Sequence, residues 1–350
     1  MNTLVIEKSG LKNNIGRVKE LAGSSYIYAN LSGDGYGAGA SALALFLRDE
    51  GIRRFCVDSA DAAGALRKAG LVDEEILMLH STSDRATLEY LADRNVICSV
   101  GTLEAGMALN ALAESRATVL EAHLEIDSGM GFGGFPAEEP EKIVSVIRNL
   151  PNVAFSGVYT QLSSGKVMER QAARFAQAVA AIHEAGCETG IVHAAGSYAM
   201  LHGGLAETDA VRAGSVILGR CRRRRGDGLN TVGHAEAPVD SIRWLPKGHT
   251  IGNEKKVTLR RATRVAVLPV GYQHGLGVER APVGFWDGLR RILRTRRRTV
   301  RLNSQKVRIL GTIGAAETLI DVTGIKCAEG DLATFDINPL YAKGFKREFR

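Results

Sequence analysis

Paired cysteines are missing from this 350-residue chain. Its five cysteines (Cys56, Cys98, Cys187, Cys221 and Cys327) are scattered with no CxxC spacing. That excludes a disulfide frame or thiolate zinc site and predicts reduced thiols in a cytoplasmic protein. Long apolar runs are missing too, none approaching the ~20 residues that cross a bilayer. The first residues, MNTLVIEKSGLKNNIGRVKEL, carry charges throughout and no apolar core, so neither a signal peptide nor a membrane partner is expected. Proline is scarce, at 8 residues against 40 glycines. Clusters of histidine and carboxylate with metal-ligand spacing are absent, so no metal is expected. The net charge of +7 gathers in RCRRRR (220–225) and LRRILRTRRRTVR (289–301). Aromatics are absent from both runs and no recognition motif accompanies them. They read as a solvated face or an anion or subunit contact, not as a nucleic-acid surface.

What is present is periodic. Short β-branched runs at 26–31, 54–58, 76–80, 96–100, 119–126, 154–160, 190–195 and 211–218 alternate with segments of helical spacing. Examples of the latter are GASALALFLRDEG, DAAGALRKAG and ERQAARFAQAVAAIHEAG. Eight strand–helix units predict an α/β fold, a TIM-type (β/α)8 barrel over residues 1–234, with an open doubly wound sheet as the alternative. After about residue 235 the texture changes. VTLRRATRVAVLPVGY, KVRILGTIG and LATFDI read as strands joined by turns, an all-β domain over 235–350. The stretch 282–295 reads as a short helix or flap.

A barrel places its chemistry at the carboxyl ends of its strands. Those ends hold Ser32 to Tyr36, Asp58, His80, Glu125 to Asp127, Thr160 and Gln161, His193 to Ser197, and Arg212 to Ser215. Lysine is absent from this set. Ser32 is a poor nucleophile without a base beside it, and reads as a turn residue more readily than as a catalyst. Glu125 is either a buried acid with a raised pKa or a core carboxylate held by its neighbours. His80 and His193 read as structural. Arg212 either meets a ligand or pairs with a carboxylate such as Asp209.

Eight stretches in order resemble the alanine racemase family. They are YANLSGDGYGAG (28–39), HLEIDSGMGFGGF (123–135), GVYTQLS (157–163), VHAAGS (192–197), DAVRAGSVILG (209–219), LPKGHTIGN (245–253), RVAVLPVGYQHG and GTIGAAETLIDVT. The resemblance implies a fold-type III pyridoxal phosphate (PLP) enzyme, an isomerase of amino-acid metabolism. It also implies a barrel followed by a β-domain, in a homodimer that shares its sites. Such a racemase needs a lysine that holds PLP and moves a proton on one face, and a tyrosine that acts on the other. By the same resemblance the lysine position falls on Ser32 and the tyrosine position on Asn253. Neither residue can take over the role. The family's supporting lysine falls on Glu125 and its neighbouring arginine on Phe132. Gln161, Gly196, the Ala315–Ala316 pair and His274 also depart from the pattern.

The phosphate cradle is retained in Tyr36, Ser197, Gly214 and Ser215. Arg212 matches the arginine at the pyridine nitrogen, and Tyr272 matches a substrate-side residue, as do the positions of Gln161 and Phe132. The resemblance therefore implies a small-molecule site for PLP or another phosphate-bearing ligand, held without a covalent bond. Glu125, Asp127 and His274 are the acids and bases left for altered chemistry. A non-catalytic relative acting as a binding or regulatory subunit is the second expectation. A racemase using another lysine, such as Lys166, is the third.

Overall fold

Eight parallel strands close on themselves in the computed structural model, which describes residues 1–203, 208–221, 226–252, 257–279 and 300–350. In chain order the strands are Tyr26–Asn30, Arg54–Val57, Glu75–Ser81, Ile97–Val100, Leu120–Asp127, Val153–Tyr159, Ile191–Gly196 and Ala210–Ala213. Each pairs in parallel with the next, and the eighth returns to the first through Arg212 opposite Tyr28. The open-sheet alternative is therefore excluded. These strands are buried on both faces, as a sheet covered by helices requires, mostly by apolar residues but with Ser99, His123, His193 and Arg212 buried among them. Ile97–Val100 and Ala210–Ala213 are buried at every position.

The connecting helices start where local chemistry favours it. Ser59, Asp84 and Thr102 each accept a hydrogen bond from the backbone N–H three residues on, capping Ala60–Lys68, Arg85–Ala92 and Leu103–Ser115. The eighth strand is shorter than the apolar run 211–218 suggests. Gly214 begins a turn there, with Ile217 N–H bonding Gly214 O and Gly219 N–H bonding Val216 O. Val216, Ile217 and Leu218 are buried from within that turn, so their apolar character reflects burial and not strand structure.

The chain divides into two units, Ser9–Thr231 around the barrel and Met1–Lys8 with Val232–Arg350 in the all-β part. The β unit is built on one nine-stranded sheet and a small hairpin, Thr250–Ile251 with Val257–Thr258. Strands arise where expected, at Thr263–Leu268, Gln305–Leu310 and Leu332–Asp336. The first eight residues depart from the expectation that grouped them with the barrel. Thr3–Ile6 lies between His234–Pro238 (antiparallel) and Lys346–Phe349 (parallel), with Leu4, Val5 and Ile6 buried. Asn253, most of both arginine-rich runs and the stretch 282–295 lie outside the described residues. Among those described, no helix is long and apolar enough to cross a membrane.

Candidate functional site at the barrel mouth

The first strand ends in backbone that few L-residues adopt. Gly33, Asp34, Gly35 and Tyr36 follow one another at φ of 62°, 55°, 64° and 54°, one turn of left-handed helix closed by Gly37 N–H to Gly33 O at 2.9 Å. For Asp34 and Tyr36 this costs roughly 1–2 kcal/mol each. Such cost persists where the surroundings hold it, and it gathers at functional sites. The Asp34 carboxylate accepts Ala40 N–H at 2.8 Å, and Asp58 accepts Gly33 N–H at 2.8 Å. Ser32 opens the turn. Its Oγ donates to Asn30 Oδ1 at 2.6 Å, so the hydroxyl is tied to an amide and not to a base.

The turn carries Tyr36 to the eighth strand. A Cβ placed on Gly214 would stand 2.4 Å from the Tyr36 phenol oxygen, so only glycine admits the ring there. Burial pushes the Tyr36 phenol above its ordinary range, against a backbone hydrogen bond with Ser215 and the charge of Arg212. Ser197 Oγ accepts the N–H groups of Gly214 at 3.1 Å and Val216 at 3.2 Å. Its own proton is left to donate. Tyr36, Ser197 and Ser215, with Asn30, Gln161, Tyr198 and Arg212, wall a cavity of about 200 Å³. Hydroxyls, amides and one cation are suited to an oxyanion such as phosphate.

Arg212 is 3% exposed. Its Nη1 donates to His193 Nδ1 at 2.9 Å and His193 O at 3.1 Å, and its Nη2 to Thr160 O at 2.6 Å and Gln161 Oε1 at 3.0 Å. All these acceptors are neutral. Asp209, the carboxylate weighed as its partner, accepts Val192 N–H instead. Among the described residues no carboxylate lies within ion-pair distance of Arg212.

The two carboxylates of the fifth strand differ. Asp127 is half-buried, which alone would raise its pKa, but the N–H groups of Gly129, Gly131 and Met130 outweigh that and hold it low. Its role here is to shape the glycine loop. Burial raises Glu125, and Asp127 adds to this, while Arg212, His80 and a hydrogen bond with Tyr159 oppose it. Its carboxylate lies on glycine backbone, 2.7 Å from where a Gly101 Cβ would stand and 3.5 Å from that of Gly133. A carboxyl raised by burial is suited to hold a proton. Phe132 is 86% exposed on the same loop. Lys166 is exposed at the start of the helix Lys166–Glu184 and is not among the residues that wall the cavity.

In the β unit, Tyr272 and His274 share one 3₁₀ turn. Tyr272 is exposed, and His274 Nδ1 accepts Gly271 N–H at 3.1 Å. The chain's own barrel thus brings together Tyr36, Ser197, Arg212, Gly214, Ser215 and Gln161.

Three residues of the site escaped the sequence reading: Asn30, Tyr198 and His123. His123 was legible in principle. His123, Glu125 and Asp127 alternate with Leu124 and Ile126, the period of a strand with a polar inner face. His123 Nδ1 is 2.9 Å from His193 Nε2, deep in the barrel. Among the described residues no group could hold a metal ion.

Residues 6–221 match the alanine racemase N-terminal domain, and residues 232–281 match the alanine racemase C-terminal domain. An alanine racemase of Carboxydothermus hydrogenoformans is 30% identical over 281 residues, covering 77% of this chain and 75% of that protein. Among solved structures, the alanine racemase of the D-cycloserine producer Streptomyces lavendulae has a TM-score of 0.84 at 18% identity, covering 100% of this chain and 97% of that one. That of Bartonella henselae, solved with covalently bound pyridoxal phosphate, has a TM-score of 0.81 at 19% identity, covering 100% and 99%. At these identities the likeness to both structures is one of fold.

Proposed function

This chain belongs to the alanine racemase family, and we propose that it binds a phosphate-bearing ligand, PLP or an amino-acid-derived compound, without a covalent tether. The observation that carries this reading is the cavity wall. Tyr36, Ser197, Ser215 and the buried Arg212 converge there, while among the described residues no lysine does. The residues present fit the phosphate end of PLP and not its attachment. Bound PLP supplies an electron sink for a carbanion. This chain's own residues bind and orient the ligand: Tyr36 and Ser197 offer hydroxyl protons to the phosphate, and Arg212 faces the ring or its substituents.

Ordinary racemisation needs a proton donor on each face of the substrate carbon. Ser32 is committed to Asn30, and Asp127 is occupied by its loop. Among the described carboxylates of this barrel end Glu125 is the one with a raised pKa, and we assign it the proton step of any altered chemistry. The site is completed in a homodimer, where His274 and Tyr272 serve the partner's barrel.

A second reading, a non-catalytic ligand-binding or regulatory subunit, draws on one feature. None of the described residues walling the cavity is a carboxylate, lysine or histidine. Binding is provided for there, and proton transfer is not.

The test is an absorbance titration with PLP, followed by borohydride reduction and intact-mass measurement. Saturable binding with no mass increase after reduction is expected. A stable mass increase would mean that a lysine has taken the covalent role, and peptide mapping would name it. Ser32→Lys alone should leave alanine racemisation undetectable in a coupled assay, and robust turnover by that variant would sink the proposal.

A further inference from the structure

The interior of the barrel holds two histidines whose protons can be placed by logic. Arginine only donates hydrogen bonds. Arg212 Nη1 is 2.9 Å from His193 Nδ1, so that nitrogen is an acceptor and His193 carries its proton on Nε2. His193 Nε2 is 2.9 Å from His123 Nδ1, which must then accept, so His123 also carries its proton on Nε2. There the chain of donors ends, because His123 Nε2 is buried with no hydrogen-bond partner. The ring edge that bears it lies over Gly157, where a Cβ would stand 2.6 Å from Nε2.

The rings have no room to choose otherwise. His193 lies between Tyr28 and Tyr159, each stacked at 5.2 Å between centroids. His123 meets His193 and Tyr28 edge-on. The titratable and charged groups that meet the pair are Arg212, Tyr28 and Tyr159. Burial depresses both imidazoles, and Arg212 repels a second positive charge on either.

We infer that His193 and His123 form a neutral relay that fixes the setting of Arg212 and leaves its charge for the ligand to answer. A carboxylate in the place of His123 would draw a proton onto His193, and His193 would then repel Arg212 where it now accepts from it. The unpartnered N–H of His123 is a cost that an apolar residue at this position would not carry. Its presence fits a requirement for a neutral acceptor behind His193. His123 and His193 are positioning residues for the ligand that Arg212 meets, and in this respect the inference rests on the proposed ligand site.

The relay is tested first in the unaltered protein by ¹⁵N spectra of the imidazoles. Both rings are expected neutral at pH 7, each with a protonated Nε2, down to the pH at which the fold is lost. A protonated Nδ1 on either ring, or titration near the ordinary histidine value, overturns the relay. Two variants then test its consequence for binding. His123→Asn, which keeps a neutral acceptor, should hold the Kd for PLP and for inorganic phosphate within about threefold. His123→Asp should raise both by about tenfold or more and show His193 doubly protonated. Equal affinities in the two variants would overturn the link to Arg212. If the parent protein binds neither phosphate nor PLP, the proposed function falls while the ring spectra still decide the relay.

Discussion

The barrel has a cavity at each end, and the two differ in kind more than in size. The one at the amino ends of the strands is the larger, about 500 Å³, bordered by Arg67, Asp73, Glu74, Glu75 and Glu121 among others. Its polar groups are largely answered from within. Arg67 donates to five backbone carbonyls, Glu74 pairs with Arg53 at 3.1 Å, and Glu75 pairs with Arg54 at 3.0 Å while accepting the Tyr28 hydroxyl. The cavity at the carboxyl ends, about 200 Å³, holds a buried arginine that has no ion-pair partner among the described residues, beside a strained left-handed turn. Volume marks where packing stops. A site is marked by groups held at a cost that the protein alone does not recover.

The comparison is broken most directly at Arg212. Arg212→Gln removes charged hydrogen bonds worth about 1.5–3 kcal/mol, and should raise the Kd for PLP by roughly 10–100-fold in a fluorescence titration. A change of less than about threefold would leave the two cavities equivalent. Gly214→Ala should cost about 1–3 kcal/mol in chemical denaturation, because its Cβ would press on the Tyr36 ring, and should weaken the ligand as well. Full binding in a destabilised Gly214→Ala protein would separate Tyr36 from the site.

Acid should act through the interior histidines. His123 is pushed down to about 3, first by burial and then by Arg212, and His193 goes down in the same way. The unfolded chain therefore binds protons that the folded one refuses. Stability from these groups is full above the ordinary histidine value of ~6.5 and is lost as pH falls below it. Melting temperatures should drop between pH 7 and pH 4, and His123→Asn should flatten that slope. An unchanged slope would mean that carboxylates elsewhere govern acid unfolding. The smallest effect belongs to the other end of the barrel. Glu121→Gln should change stability by no more than about 0.5 kcal/mol and leave PLP affinity unchanged.

The architecture was largely legible in the sequence because barrel strands are short, apolar and regularly spaced. The frame of the site was legible through YANLSGDGYGAG, whose glycines permit a left-handed turn. What the chain does with Ser32 was not, since a hydrogen bond to Asn30 depends on a rotamer and not on composition. Asp127 and Glu125 look alike as letters two apart. Only the loop N–H groups around one and the apolar burial of the other separate an ionised cap from a raised acid. The end of the eighth strand was misjudged because Val216, Ile217 and Leu218 are as apolar in a buried turn as they would be in a ladder. The strand Thr3–Ile6 was assigned to the wrong unit because its partners, His234–Pro238 and Lys346–Phe349, lie on the other side of the whole barrel sequence, beyond the reach of any local pattern.

That strand has a consequence for how the molecule is made. Thr3–Ile6 is synthesised well before its parallel neighbour Lys346–Phe349, with the whole barrel unit between them. At about 5–20 residues per second the strand waits roughly 15–70 s for that neighbour. During this interval Leu4, Val5 and Ile6 lack that neighbour while the barrel unit is synthesised. Completion of the β unit therefore waits on a segment made after the whole barrel, and loss of Lys346–Phe349 would keep the barrel sequence but open one edge of an apolar strand to aggregation.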